Sequence, residues 1–196
     1  MRCGQPLIAL TLCFIISTSA SSQTKTEREY RIKKDTIAEN ACVFINQSGF
    51  LEEKTKVKWY REESNDGTSI EAKFSQNGRG FSIEFSQQGQ LQDVEIEIDE
   101  DEIPKKTLKS IEENLNEEFS KWKIKRVQRQ WVGGEADVIN SIKQKSAQPN
   151  VTENFELIVK GQSPEDKSYF EFLFDSSGKL LRKERIVESA SDILIY

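Results

Sequence analysis

The side chains available for catalysis limit the chemistry of this chain before any fold is considered. The 196-residue sequence contains no histidine, which excludes Ser/His and Cys/His nucleophilic catalysis and histidine-ligated zinc. It has no GxxxxGKS or GxxxxGKT phosphate loop and no GxGxxG motif after a strand. A pair of carboxylates could still act as in glycosidases. The 33 Asp and Glu residues allow such a pair, but their spacing singles none out.

An acidic run in the middle of the chain could bind a hard cation, because calcium prefers clustered carboxylate oxygens. Its members are Glu95, Glu97, Asp99, Glu100, Asp101 and Glu102. The run does not follow the EF-hand pattern, which needs a central glycine and a distal glutamate. Glu95 and Glu97 also occupy the solvent-facing positions of an alternating strand. A calcium site is therefore an alternative hypothesis.

Aromatic and basic residues on the predicted strands are the candidates for partner binding. Trp59 and Tyr60 are neighbours in a strand, so they face opposite sides of the sheet. We expect Trp59 in the core and Tyr60 on the outer face, in phase with Lys58. Trp131, beside two glycines at a long loop, is a second aromatic candidate. The predicted partner-binding residues are Tyr60, Lys58, Lys73 and Trp131.

The outer face of the sheet is expected to be polar and exposed to solvent or to a partner. Its predicted members are Lys58, Tyr60, Glu71, Lys73, Ser82, Glu84, Glu95 and Glu97. The formal net charge is −5, with acidic and basic residues interleaved, whereas nucleic-acid binders gather Lys and Arg on one face. We therefore expect a protein partner, no nucleic acid and no cofactor.

Residues 1–20 have the pattern of a secretory signal peptide. Arg2 provides the positive charge, the stretch from Leu7 to Ile16 is almost entirely apolar, and small residues follow it. The apolar stretch is shorter than the roughly twenty residues of a membrane-spanning helix. The sequence predicts an exported protein, periplasmic or at the cell surface, without a transmembrane segment.

The three cysteines bear on lipid attachment and on disulfide formation. Lipid attachment at Cys13 is disfavoured because Leu12 stands where lipoproteins have a small residue. Cleavage near Ala20 would remove Cys3 and Cys13. Only Cys42 would remain, so an internal disulfide is excluded.

Hydrophobic periodicity predicts two amphipathic helices and a set of antiparallel strands. The helical stripes are Ile37, Ala41, Phe44 and Ile45, and Leu108, Ile111, Leu115 and Phe119. Period-two alternation predicts strands at 56–60, 70–74, 81–85, 94–98, 122–131, 155–159, 170–174 and 180–187. Asn77-Gly78 is a hairpin signal between two of them. The pattern indicates an antiparallel meander with one buried and one wet face.

These elements recur along the chain. The residues Phe81, Ile83, Phe85, Gly89 and Leu91 are matched 89 positions later by Phe170, Phe172, Phe174, Gly178 and Leu180. We therefore predict an α+β fold of two tandem helix-plus-antiparallel-β-meander units, with the helices on one face of the sheet. The predicted boundaries are a signal peptide at 1–20, a flexible N-terminal segment at 21–33, a first unit at 34–99, a second unit at 100–188 with a loop insertion at 133–154, and a tail at 189–196.

Several of these motifs resemble a known group of exported proteins. They are Val57-Lys58-Trp59, Glu71-Ala72-Lys73-Phe74, the stretch from Phe85 to Leu91, Ile103-Pro104 and the stretch from Phe174 to Leu181. Together they resemble the β-lactamase-inhibitor-like, PepSY-like proteins of Bacteroidetes-type bacteria. The resemblance runs from about Ile37 to Val187. The 133–154 insertion departs from the pattern, as does Arg126, which stands where the first unit has Trp59.

The resemblance implies tandem α-plus-sheet units, a periplasmic or cell-surface setting and no proven activity. The primary expectation is a non-catalytic, inhibitor-like binding module that contacts a protein through the exposed sheet face. Two alternatives stay open: a small-ligand or cation-binding envelope protein, and a carboxylate-based hydrolase. Fold similarity alone does not decide among them.

Overall fold

The computed structural model describes residues 23–25, 28–64, 67–162 and 167–186. The predicted signal peptide at 1–20 and tail at 189–196 lie outside these residues. The elements in chain order are β1 (Gln23–Lys25), β2 (Arg28–Ile32), α1 (Glu39–Gln47), β3 (Lys58–Ser64), β4 (Gly67–Gln76), β5 (Arg79–Ser86), β6 (Leu91–Glu97), α2 (Lys105–Glu118), β7 (Lys121–Val132), α3 (Glu135–Gln144), β8 (Thr152–Gln162), β9 (Lys167–Asp175) and β10 (Leu180–Ile186). Within the described ranges, no helix is long and apolar enough to cross a membrane.

All ten strands belong to one sheet, in the order β1-β10-β9-β8-β7-β6-β5-β4-β3-β2. From β2 to β10 the neighbours are antiparallel, and β1 adds to β10 as a parallel strand. The Asn77-Gly78 turn joins β4 to β5 with both residues at positive φ, 52° and 77°. This is the backbone that a tight two-residue hairpin requires.

The prediction of two tandem helix-plus-meander units is wrong. The described residues form a single sheet, in which β2 to β10 are antiparallel and β1 is parallel, together with three short helices. β6 pairs directly with β7 across the predicted boundary, so that Val94 lies opposite Trp131. Trp131 also packs in the same hydrophobic cluster as Trp59 and Phe85, which belong to the predicted first unit. Periodicity identifies the buried face of each strand, but not whether two meanders join edge to edge.

The apolar face of the sheet carries the helices and the core. α1 places Ala41, Phe44 and Ile45 against the β3–β6 side, where Phe44 meets Phe85 edge-on at 5.7 Å between ring centroids. α2 places Ile111 and Leu115 in a second cluster against the β7–β9 side. Both predicted helices are present and bury apolar residues on the same face of the sheet, but Ile37 and Phe119 lie outside them with extended backbone, before α1 and after α2.

The turn between β9 and β10 docks directly on α2. Thr107 Oγ1 donates to the Ser176 carbonyl at 2.7 Å, and Ser110 Oγ donates to the Gly178 carbonyl at 3.1 Å. Gly178 has φ of +85°, and a Cβ there would lie 2.6 Å from the Thr107 carbonyl oxygen. Glycine is required at this position for both its conformation and its close approach.

Two segments differ from the sequence prediction. The predicted flexible segment 21–33 contains β1 and β2, and β2 pairs with β3 over five residues, from Arg28 opposite Glu63 to Ile32 opposite Trp59. The predicted loop insertion 133–154 contains α3, whose Val138 is fully buried against the first cluster. Backbone pairing orders the polar β2, and a short apolar stripe orders α3.

Candidate partner-binding face

The face of the sheet opposite α1, α2 and α3 is lined by polar side chains and is called the polar face below. In the strand register, one row of these polar side chains runs across the sheet from β3 to β9. The row consists of Lys58, Lys73, Ser82, Glu95, Gln130, Asn154 and Asp175. A parallel row begins with Tyr60, Glu71, Glu84 and Asp93. The sequence alternation thus places the predicted outer-face residues on one surface.

The centre of the polar face is far less exposed than the sequence analysis expected. Glu71 is 7% exposed and Ser82 is 4% exposed. The same is true of residues that the analysis did not single out, which are Gln128, Gln130, Asn154, Glu156, Ile158, Glu171 and Glu184. No described helix covers this face, so these side chains shield one another. Such shielding is expected where a large sheet coils toward one of its faces.

The side-chain amides of neighbouring strands donate hydrogen bonds to the carboxylates of β6. Gln130 Nε2 donates to Asp93 Oδ2 and to Glu95 Oε1, each at 3.2 Å. Gln128 Nε2 donates to Glu95 Oε2 at 2.8 Å. Asn154 Nδ2 donates to Gln130 Oε1 at 2.9 Å, which extends this set of hydrogen bonds to β8. Since a carboxylate can only accept hydrogen bonds, the amides of β7 supply the donors that its burial requires.

Crowded carboxyl groups perturb one another at this centre. Burial raises the pKa of Asp93 well above its usual value, and the negative charges of Glu84 and Glu156 raise it further. Burial likewise raises the pKa of Glu95 well above its usual value, with a further contribution from Asp93. Arg182 lowers the pKa of Asp93 and Arg126 lowers that of Glu95, but neither reverses the shift. Burial and the neighbouring carboxyl groups therefore disfavour the charged forms of Asp93 and Glu95 at this centre.

Arg182, on β10, pairs with two carboxylates of the polar face. Arg182 lies 3.3 Å from Glu171 Oε1 and 3.4 Å from Glu184 Oε2. Both glutamates are nearly buried. The pairing fixes the two carboxylates in place, because an unpaired buried charge would be strongly unfavourable.

Three of the four predicted partner-binding residues come together at the β3–β4 end of the polar face. Lys58 lies directly opposite Lys73 in the register, and Tyr60 lies opposite Glu71. Lys73 Nζ is 5.5 Å from the centroid of the Tyr60 ring, a cation–π arrangement. Lys58 is exposed, and Tyr60 is half-buried. These three residues line a common groove.

The groove has a volume of about 500 Å³ and lies between the segment before β3 and the end of β4. Its lining consists of Glu52, Lys54, Thr55, Lys56, Lys58, Tyr60, Lys73, Phe74, Ser75, Gln76 and Asn77. It contains one carboxylate among these residues, Glu52, and so does not hold the paired carboxylates that a glycosidase-type hydrolase needs. We define this cavity as the lysine groove.

The fourth predicted residue, Trp131, lies on the other face. Its side chain is 1% exposed and packs in the core with Trp59 and Val138. Its burial removes it from any contact surface. Trp59 is 5% exposed, in agreement with its expected core position.

The residues of the acidic run 95–102, which suggested a calcium site, have different contacts in the structure. Glu95 points into the polar face, whereas Asp99 and Glu102 form a capping box around the short 3-10 helix Glu100–Glu102. Glu102 Oε1 also lies 2.7 Å from the Arg79 guanidinium. The run therefore does not converge on one point, and the structure gives no support to calcium binding there.

A different acidic group does converge, with Glu29, Glu62 and Glu71 offering oxygen atoms within 4.8 Å of one another. Lys73 already lies among them, with its Nζ 2.5 Å from Glu29 Oε1 and 3.0 Å from Glu71 Oε2. Burial raises the pKa of Glu71, and the charge of Lys73 opposes the shift. The ammonium group supplies the positive charge that a metal would otherwise bring.

Three of the solved structures that match this chain are proteins of Bacteroides. A candidate periplasmic protein from Bacteroides eggerthii is 14% identical with a TM-score of 0.51, over 80% of this chain and 94% of that one. A DUF2874 family protein from Bacteroides ovatus is 15% identical with a TM-score of 0.52, over 82% and 99% of the two chains. A DUF2874 family protein from Bacteroides uniformis is 15% identical with a TM-score of 0.50, over 75% and 88%.

A BLIP-like protein from Bacteroides fragilis matches more weakly, with 14% identity and a TM-score of 0.46 over 78% of this chain and 89% of that one, and it carries no argument here. No protein-family model matches the sequence, and no curated protein matches it significantly. The PepSY-like part of the predicted resemblance is not confirmed. At these identities the matches establish the fold alone, which this chain shares with the Bacteroides proteins.

Proposed function

We propose that this chain is an exported, non-catalytic binding module that contacts a protein partner through its polar face. The observation that carries the proposal is the polar face itself, a broad surface left uncovered by the described helices. Its side chains are ordered by hydrogen bonds and ion pairs rather than packed against a second layer. An ordered surface loses little conformational entropy when a partner binds.

The charge of the polar face indicates the chemistry of the partner. Around its centre lie the carboxyl groups of Glu71, Glu84, Asp93, Glu95, Glu156, Glu171 and Glu184, with Lys73, Arg126 and Arg182 as basic groups among them; Lys58 and Asp175 lie farther out on the same face. At a pH where these carboxyl groups are ionised, their excess over the neighbouring basic groups favours a partner that presents Lys and Arg. Such complementarity accelerates association and weakens as salt rises.

Export is the second part of the proposal. It is supported by the signal-peptide pattern of residues 1–20 and by the fold shared with a candidate periplasmic protein. We expect mass spectrometry of the protein from the cells that produce it to find an N-terminus close to Ser21. Recovery of the chain with Met1 intact would contradict export, and a diacylated Cys13 would make the protein a lipoprotein.

Site-specific photo-crosslinking tests the binding surface. A photo-reactive side chain at Glu84 or Glu97, both on the polar face, should give the same covalent adduct in the producing cells. The adduct should fade as the salt concentration rises, because the contact is electrostatic. Tyr60→Ala should reduce its yield without unfolding the protein, since Tyr60 is half-buried at the rim of the face.

Controls separate a binding effect from a folding effect. The same photo-reactive group at Glu113 or Glu117, exposed on α2, should give no such adduct. Trp59→Ala should lower the thermal midpoint, because Trp59 lies in the core. Adducts that form from α2 but not from the polar face would show that the helical side is the binding surface. An adduct indifferent to salt and to Tyr60 would exclude the proposed contact.

A further inference from the structure

We infer that the lysine groove is a binding site for a small molecule that carries a phosphate monoester. The inference does not depend on the proposed protein contact, because the groove is a cavity with its own charge and hydrogen-bonding groups. Its volume of about 500 Å³ is typical of small-ligand sites, which span about 300–1,000 Å³.

The positive charge of the groove is not neutralised within the described chain. Lys73 is paired with Glu29 and Glu71. Lys54, Lys56 and Lys58 are exposed and have no ion-pair partner among the described residues. One lining carboxylate, Glu52, offsets part of their charge. The remaining charge is close to +2, which matches a phosphate monoester at neutral pH.

The register adds a reason for an anion at this position. Lys58 lies directly opposite Lys73 on the neighbouring antiparallel strand, so no carboxylate faces Lys58 there, and like charges that lie close together repel. Lys54 and Lys56 bring two more ammonium groups to the same cavity from the segment before β3. A bound dianion would offset this repulsion, so binding should also stabilise the fold.

Neutral donors complete the lining. Thr55 Oγ1 donates to Gln76 Oε1 at 2.6 Å, which holds two polar side chains of the lining in place. Tyr60, which has both a hydroxyl group and an aromatic ring, also lines the groove. Ammonium groups act as point charges on phosphate oxygens, while the ring of Tyr60 provides a surface for the non-polar side of a sugar.

Calorimetry with glucose 6-phosphate at low salt is the direct test. The wild-type protein should bind glucose 6-phosphate and should not bind glucose. The triple variant Lys54→Gln, Lys56→Gln, Lys58→Gln should bind at least about tenfold more weakly, because three charges near the anion are removed. A matched variant with the same change in net charge, Lys105→Gln, Lys106→Gln, Lys109→Gln, should retain the wild-type affinity, since those lysines are exposed on α2.

A second readout locates the site and identifies the source of the phosphate. Amide shifts in the NMR spectrum should change at 52–60 and 73–77 on addition of glucose 6-phosphate. Vesicles that contain phosphatidic acid test the same chemistry on a lipid: recruitment lost in the groove variant would assign the phosphate to a headgroup, and binding of the sugar phosphate alone would assign it to a free metabolite. Equal weakening in both triple variants, shifts confined to other parts of the chain, or no binding of either probe by the wild type would overturn the inference.

Discussion

Replacing Phe85 or Phe174 by alanine is expected to lower the free energy of unfolding by about 3–5 kcal/mol. Both side chains are fully buried, each one residue before the end of a strand that has neighbours on both sides. Phe85 meets Phe44 at 5.7 Å and Trp59 at 6.2 Å between ring centroids. Phe174 stacks on Phe172 at 5.8 Å. Neither site can collapse easily, because the neighbours of each phenylalanine are large rings held by the sheet or by a helix.

Urea denaturation followed by tryptophan fluorescence would measure both losses. Leu181→Ala serves as the control, because Leu181 is 51% exposed on β10, and it should change the unfolding free energy by less than about 0.5 kcal/mol. Phe85→Leu keeps most of the buried volume and should cost clearly less than Phe85→Ala. Losses below about 1 kcal/mol at both phenylalanines would show that the assigned apolar face is not the core.

Local elements of this fold are predictable because each carries its signal in adjacent residues. The stripe Leu108, Ile111, Leu115 locates α2, whose observed range is Lys105–Glu118. Asn77-Gly78 locates the β4–β5 turn through the backbone that only such residues adopt easily. Period-two alternation assigns Trp59 and Tyr60 to opposite faces, and the structure places Trp59 in the core.

The pairing of strands that are distant in sequence has no such signal in adjacent residues. The β6–β7 pairing that merges the meanders is a contact between strands separated by α2. Nothing in the alternation of either strand specifies its neighbour. α3 could have been found from Val138, Ile139 and Ile142, which have helical spacing. The glycines before it and the Pro-containing stretch after it favour a loop instead.

The candidate site was predicted in part. Lys58, Tyr60 and Lys73 meet in the lysine groove because alternation and hairpin pairing bring them to one face. Lys54 and Lys56 were missed, since they come from an irregular segment whose path over the sheet has no periodic signal. The near burial of Glu71 was also missed. Alternation predicts which face a side chain occupies, whereas its exposure depends on how the whole sheet curves.

The crowded carboxyls at the centre of the polar face lead to an expected dependence of stability on pH. Burial and neighbouring negative charges raise the pKa of Asp93 and of Glu95 in the folded protein. A carboxyl with a raised pKa keeps its proton in the folded state over a pH range where the unfolded chain has released it. The folded state then binds more protons, so the free energy of unfolding falls as pH rises through that range. Acidification from pH 8 toward pH 5 should therefore remove a destabilising contribution from this centre.

Asp93→Asn isolates this contribution, because the amide keeps the size of the side chain and removes its charge. We expect the variant to be more stable than the wild type by about 1–3 kcal/mol at pH 8, and the difference to shrink toward zero near pH 5. The new amide oxygen can still accept the hydrogen bond that Gln130 Nε2 gives to Asp93.

Glu117→Gln is the control, because it removes an exposed carboxylate on α2 and should change stability little at either pH. Urea titrations at the two pH values would measure both variants. A loss of stability in Asp93→Asn at pH 8 would mean that the charged hydrogen bond from Gln130 outweighs the repulsion, and that the polar face is electrostatically balanced without a partner.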